Sequence, residues 1–523
     1  MTGTLTFWRV FARRDRWLYL WFALGSALLF VSQAWSVDGL YATQADFDRA
    51  AAGMESNATF VAMFGPTRAL NTTGGQVAWQ STAFGAVVVA LMVMFVVGRH
   101  TRAEEESGRD ELIRSGVVGR YATTTAALAS AMTASVVSGA AVWATLAAYG
   151  LTAADSLALG VGLTAIGWFF SGTALLAVQL TTSTRASYGL AGAAVAGAYA
   201  ARAIGDVAAP TLSWLSPIGW YQAMHAFSGL RWWPVLVLLT GAGAAVASAY
   251  AVFDRRDFGA GVLASRPGPV RAGHTLGSGL GLAWRLQRPA VISWTLGALA
   301  LGLTFGTMGN SVEDLVGDSG VGTDMILQGH TDVVDAFYST MALMLALLTG
   351  AFATSSALRP HGEEEAGRVE SLLATALPRT SWHAGHVLLT VVGSTAMLLV
   401  GGLGLGVSYA LVTDDASAMA HMVGAAVAYL PAVLVLSGLA RALYGTAPRA
   451  APTAWLALVV AVVTMLFGEA LNLPQAFRDL SPYEHLAFAP VETFRWLPFV
   501  VLAVVAATLS AVGQLALTRR DLR

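Results

Sequence analysis

The chain has 523 residues, 56% hydrophobic and only 12% charged, more apolar surface than a soluble core can use, so it reads as a polytopic membrane protein. A net charge of −1 leaves no basic footprint for nucleic acid, and the absence of cysteine removes disulfides, thiolate metal sites and haem attachment. There is no lysine either, so all 30 basic residues are arginine.

A short aromatic and basic stretch, residues 5–16, precedes the first apolar run and suits a helix lying in the membrane interface. Six spans are predicted near residues 17–35, 78–97, 122–149, 157–180, 188–204 and 233–253. The first is too long for a cleaved signal, and Trp35-Ser36 lacks the small-residue cleavage pattern. Gly139, Gly189, Gly192 and Gly197 predict close helix packing on spans three and five. Residues 208–231 are too short and proline-interrupted to span, and are expected to be re-entrant or surface-lying segments buried against protein. A Gly-, Arg- and Pro-rich stretch then predicts a flexible linker, dividing the chain into 1–257, 258–283 and 284–523. A second interfacial stretch, 282–288, shares Trp-Arg with the first (Trp8-Arg9, Trp284-Arg285). Spans seven to twelve follow near 291–308, 336–357, 382–412, 418–443, 454–471 and 497–517, with a second short segment at 474–495.

Arginines set the orientation. Arg9, Arg13, Arg14 and Arg16, five arginines across 99–120, Arg185, and Arg255, Arg256, Arg266 and Arg271 mark the cytoplasmic side, which also takes both termini. Acidic loops carrying Glu313, Asp314, Asp318, Asp324, Asp332, Asp335, Asp414 and Asp415 are expected outside. Each half therefore starts and ends inside, so the repeat is parallel.

Three landmarks recur. Glu104-Glu105-Glu106-Ser107-Gly108-Arg109-Asp110-Glu111 returns as Glu363-Glu364-Glu365-Ala366-Gly367-Arg368-Val369-Glu370, in register with Arg120 and Arg379 (offset 363 − 104 = 259). Ser216-Pro217 returns as Ser481-Pro482, and Arg255-Arg256-Asp257-Phe258 as Arg519-Arg520-Asp521-Leu522. Such an ordered repeat implies two homologous halves fused head to tail. On a helix, Glu105 with Arg109 and Glu364 with Arg368 would form ion pairs worth about 0.3–0.5 kcal/mol each, too little to account for a block that occurs twice. Glu104 with Glu111, and Glu363 with Glu370, would share one helical face and meet basic residues of a partner.

This order of elements resembles the ABC-2 type exporter permeases, whose fold is that of the type V, G-subfamily ABC transporters. The fused form, with Glu-Glu-x-Gly-Arg-x-Glu after span two and Leu-Ser-Pro before span six, resembles actinobacterial permeases of tetronasin-type antibiotic exporters and mycobacterial multidrug exporters. The second acidic copy departs from the first at Val369 for Asp110 and Ser371 for Leu112. The resemblance implies an all-α bacterial plasma-membrane protein of two six-helix halves, each with an interface helix, a cytoplasmic coupling helix and an external re-entrant segment. It also implies two copies of a separate ATPase subunit that bind ATP and Mg, docked on Glu104, Glu105, Glu106, Arg109 and Glu111 and on Glu363, Glu364, Glu365, Arg368 and Glu370. The sequence agrees in lacking Gly-x-x-x-x-Gly-Lys-Ser/Thr and any lysine to fill it. By the same analogy, spans two, five, eight and eleven wall a cavity for hydrophobic drugs or antibiotics. The candidate lining is Phe84, Met92, Phe95, Tyr188, Tyr199, Met341, Met344, Trp455, Met465 and Phe467.

The alternatives are a lipid or glycan exporter of the same fold, or a proton-coupled efflux carrier. Carriers of the major facilitator type carry Gly-x-x-x-Asp-Arg-x-Gly-Arg after span two, which Gly98-Arg99-His100-Thr101-Arg102 does not match. The nearest carboxylate to a proton relay is Glu469. His383 and His386 have metal-like spacing without a second ligand cluster, and read as interfacial histidines.

Overall fold

The computed structural model describes residues 2–38, 43–55, 58–257, 261–263, 271, 273–307, 333–468 and 473–521. Residues 258–260, 264–270 and 272 of the predicted linker, Arg266 among them, lie outside the described residues, as do the acidic loop 308–332, Glu469 and the side chain of Phe467. The chain forms two compact units, Met1–Pro267 and Gly268–Arg523.

In the first unit an interface helix, Thr4–Arg14, leads into spans Arg16–Asp38, Thr73–His100, Ala122–Tyr149, Ala153–Leu180, Thr184–Ala208 and Trp233–Arg255. Asp15 breaks the first two helices apart, its buried carboxylate taken by His100 and by Arg99 at 3.2 Å. Span two begins where the Thr72 hydroxyl accepts from the Gly75 amide, and span three ends at Gly150 in the left-handed conformation. Two helices the sequence did not suggest, Gln44–Glu55 and Ala58–Phe64, lie between spans one and two.

Eleven helices among the described residues are long and apolar enough to cross a membrane. The expected fifth span is not one of them. Thr184–Ala208 is a helix of 25 residues, but it is rich in alanine and glycine and holds a buried Arg202–Asp206 pair at 3.6 Å.

Spans three and four cross backbone to backbone, since a Cβ added to Gly139 would lie 2.3 Å from the Gly160 carbonyl oxygen. On span five, Gly189, Gly192 and Gly197 face open space within the unit, so the predicted close packing holds at span three alone. Gly139→Ala is accordingly expected to destabilise the purified chain by about 1–3 kcal/mol. Gly192→Ala should be neutral or slightly stabilising, and equal shifts in thermal midpoint would contradict the crossing.

The second unit contains Gly279–Gly306, Val333–Ala357, Arg379–Thr413, Ala418–Ala428 with Leu430–Thr446, Ala454–Phe467 and Trp496–Arg519. Here the predicted separate interface helix is absent. Residues 282–288 run straight into span seven as one helix of 28 residues, because Pro289 forfeits a single backbone bond and no counterpart of Asp15 ends the helix. Span ten, expected continuous, breaks at Tyr429, where Pro431 opens a new helix. A buried polar chain ties spans seven, eight and nine: Ser356 donates to Gln287 Oε1 at 2.7 Å and meets Thr390 at 2.8 Å, while Gln287 Nε2 meets His386 at 3.0 Å.

Both short segments fold back on their own unit through a buried tyrosine. Tyr221 donates to the Leu159 carbonyl at 2.7 Å, and Tyr483 to that of Ala346 at 3.2 Å. Ser216 starts its helix by accepting from the Ile218 amide at 3.2 Å while donating to the Ala198 carbonyl at 2.7 Å.

Candidate functional site

The two acidic blocks fold alike, and not as single helices. The first makes Arg102–Glu106 and Arg109–Arg114, the second Arg359–Glu365 and Arg368–Leu373. Gly108 (φ 73°) and Gly367 (φ 68°) turn the chain between them in the left-handed region that glycine tolerates. The expected pairs Glu105–Arg109 and Glu364–Arg368 therefore do not form. Arg109 reaches Glu104 at 3.5 Å and Arg368 reaches Glu363 at 2.6 Å. For the same reason, neither Glu104 with Glu111 nor Glu363 with Glu370 shares a helical face.

The middle glutamate of each block points inward. Glu105 pairs with Arg102 at 2.5 Å and Arg256 at 2.6 Å, all three side chains nearly buried, and Arg256 also donates to Gln179 at 2.6 Å. Glu364 pairs with Arg520 at 2.6 Å and accepts from Tyr444 at 2.7 Å, and the Arg520 guanidinium lies 5.0 Å from the centre of that ring. Arg256 and Arg520 belong to the other repeated landmark. The in-register arginines close the assembly: Arg120 donates to the Asp254 carbonyl at 3.2 Å, and Arg379 to the Arg520 carbonyl at 3.0 Å. Each unit thus uses its own copies of these landmarks to fasten the elbow after its second span to the end of its last.

The remaining glutamates divide by exposure. Glu106 accepts from the Thr184 amide at 3.0 Å and its hydroxyl at 2.6 Å, satisfying the start of span five. Glu104 also meets Arg14 of the interface helix at 3.0 Å, and Glu363 is buried between Arg368 and Arg359, the latter at 2.5 Å. Burial pushes the Arg102 guanidinium below its ordinary value, partly offset by Glu105. Facing outward are Arg109, Glu111 and the 76% exposed Leu112 on one elbow, and Glu365, Arg368 and Glu370 on the other.

Within their own units the predicted cavity residues occupy different surroundings. Phe84 and Tyr199 join Phe64 and Trp79 in an aromatic cluster, with centroids 4.7–6.4 Å apart. Phe95 packs edge-on against Tyr188 at 5.0 Å and stays half exposed. Met92 and Met341 are buried in the packing of their units, whereas Met344 and Met465 are half-buried and Trp455 is exposed. His383 meets Gln514 and His386 meets Gln287, and no group of three metal-ligating side chains occurs among the described residues.

The family model described as the C-terminal domain of multidrug efflux system permease Rv1217c matches residues 276–517. Over 532 aligned residues, covering 100% of this chain and 96% of the relative, the sequence is 38% identical to multidrug efflux system permease protein Rv1217c of Mycobacterium tuberculosis. The chain belongs to this permease family. It is a multi-pass membrane protein, in keeping with the ABC-2 resemblance of its acidic blocks. Within a permease of this family the elbow lock is the feature that sequence inspection missed. Its partners lie 151 and 156 positions apart, and only their near-equal repeat offsets, 259 and 264, connect them.

Proposed function

We propose that this chain is the membrane subunit of an ATP-driven exporter that moves hydrophobic compounds, drugs or antibiotics, out of the cell. The observation that carries this reading is the elbow fastened by the same ion pair in both units, which keeps each outer acidic face fixed to a transmembrane helix. A rigid elbow can pass force from a docked ATPase to a span, whereas a loose loop cannot. Two copies of a separate ATPase, binding ATP and Mg, would seat on Arg109, Glu111 and Leu112 and on Glu365, Arg368 and Glu370. Phe84, Tyr199, Phe95 and Tyr188 are the preferred candidates for cargo contact.

The purified chain is expected to hydrolyse no ATP alone and to gain hydrolysis with a phosphate-loop ATPase subunit bound. Robust hydrolysis by the isolated chain would sink the proposal. The elbows, both termini, Arg266 and Arg368 belong on the cytoplasmic side, with Asp206, Asp318 and Asp414 outside. In the cysteine-free background, Leu215→Cys and Ala416→Cys should react with an impermeant thiol reagent on intact cells, and Glu111→Cys should not. The opposite pattern would invert the topology.

A further inference from the structure

At the far end of span five from the elbow, a cavity of about 340 Å³ opens between the 66–68 loop, Asp206 and the short segment leading into span six. Arg68, Arg231, His225 and Gln222 line it, and Trp214 and Trp233 stack at its edge, centroids 5.5 Å apart and planes within 14°. Among the described residues neither Arg68 nor Arg231 forms an ion pair. The carboxylate at the wall, Asp206, pairs with the buried Arg202 and accepts from Ser213 at 2.7 Å. Positive charge is therefore in excess. Burial and the two arginines push His225 down to about 4, so it stays neutral and adds an uncharged ring. Gln222 Oε1 is buried without a hydrogen-bond partner, its Nε2 being fixed on the Phe64 carbonyl at 2.6 Å.

The repeat shows that this charge excess is particular to the first unit. Arg231 corresponds to Arg495 (offset 264), which faces Glu492 at 4.0 Å, and Arg478 of the same second segment faces Glu484 at 2.7 Å. Glu492 maps to Ser228 at that offset, and Glu484 to Gly219 at the Ser216–Ser481 offset of 265. Arg478 and Arg495 each have a carboxylate within 4.0 Å, whereas Arg68 has only the longer-range charge of Asp206, already paired with Arg202, and Arg231 has no ion pair among the described residues.

We propose that the pocket of Arg68, Arg231 and Gln222, edged by Trp214 and Trp233, binds the oxyanionic headgroup of an amphiphile. The guanidinia take the phosphate or carboxylate, and the exposed indole faces take the first carbons of the apolar chain. A bilayer phospholipid and a single-chain anionic cargo share this chemistry.

The test uses full-length permease purified in a neutral maltoside detergent, titrated with phosphatidylglycerol, phosphatidylcholine, dodecyl phosphate and inorganic phosphate. Binding of phosphatidylglycerol or dodecyl phosphate is expected, with phosphatidylcholine and inorganic phosphate each about tenfold weaker or more. Phosphatidylglycerol alone would mark a lipid site and dodecyl phosphate alone a cargo site, and either supports the proposal. Arg231→Gln should weaken binding about tenfold or more. Ser228→Glu, which supplies the carboxylate that the second unit carries, should do the same with every arginine in place, while Arg495→Gln should leave binding unchanged. The proposal is overturned by an absence of amphiphile binding, by inorganic phosphate binding as tightly as dodecyl phosphate, by wild-type affinity in Ser228→Glu, or by equal loss in Arg495→Gln.

Discussion

Glu105→Ala is expected to destabilise the elbow of the first unit by about 3–5 kcal/mol, the usual cost of breaking a buried ion pair from one side. The substitution takes away the counter-charge that Arg102 and Arg256 share, and those guanidinia are 1% and 3% exposed, so water cannot replace it. Removing a buried partner costs more than the net worth of the pair, because the desolvation of the remaining charge is no longer offset. Glu364→Ala should cost less, about 1.5–3 kcal/mol, since Arg520 is 19% exposed and keeps its stacking on Tyr444. Thermal unfolding of the purified chain, with limited proteolysis at residues 101–120, measures both. A Glu105→Ala chain that melts with the wild type and resists protease would mean the lock holds nothing together.

Charge reversal on the outer faces should give the opposite profile. Glu111→Arg and Glu370→Arg change exposed side chains for which no ion pair occurs among the described residues, so folding stability should stay within about 0.5 kcal/mol. If these faces dock an ATPase, each reversal sets like charge against the partner's basic residues, a penalty that reaches several kcal/mol at a desolvated contact. ATPase stimulation and drug efflux should then fall together by about tenfold or more while expression and monodispersity hold. Glu363 is unsuited to this test, because an arginine there would sit buried between Arg359 and Arg368 and unfold the elbow for reasons unrelated to docking. Wild-type efflux in the combined variant, with an ATPase normally bound, would make the outer glutamates solvated side chains and nothing more.

How far the structure was readable in advance depends on the distance over which each feature is determined. Membrane spans are local, so nearly all fell where the apolar windows put them, and span five is the exception because Arg185, Arg202 and Asp206, with its glycines, lower its mean hydropathy. Local signals were also misjudged. Gly108 and Gly367 stand inside the acidic blocks, where glycine commonly ends a helix, and they break the continuous helical spacing that the charged residues alone predict. The aromatic and basic stretch 282–288 reads as a separate interfacial helix, yet it continues into span seven, since Pro289 costs one backbone bond within a helix of 28 residues. The partners of Glu105 and Glu364 were the least legible, because pairing across 151 and 156 positions depends on where the last span ends in three dimensions. Likewise, the pocket at Arg68 and Arg231 arises from segments whose charges look ordinary until their neighbours are known.

The most direct measurement of the coupling role is site-specific cross-linking. With no cysteine in the chain, Glu111→Cys and Glu370→Cys each place a single thiol on one elbow, and Leu215→Cys places one at the other end of the first unit. In the assembled exporter, a short bifunctional thiol reagent should join an ATPase subunit to position 111 and to position 370, and should not join it to position 215. Cross-linking at neither elbow in a complex that still hydrolyses ATP would contradict the account.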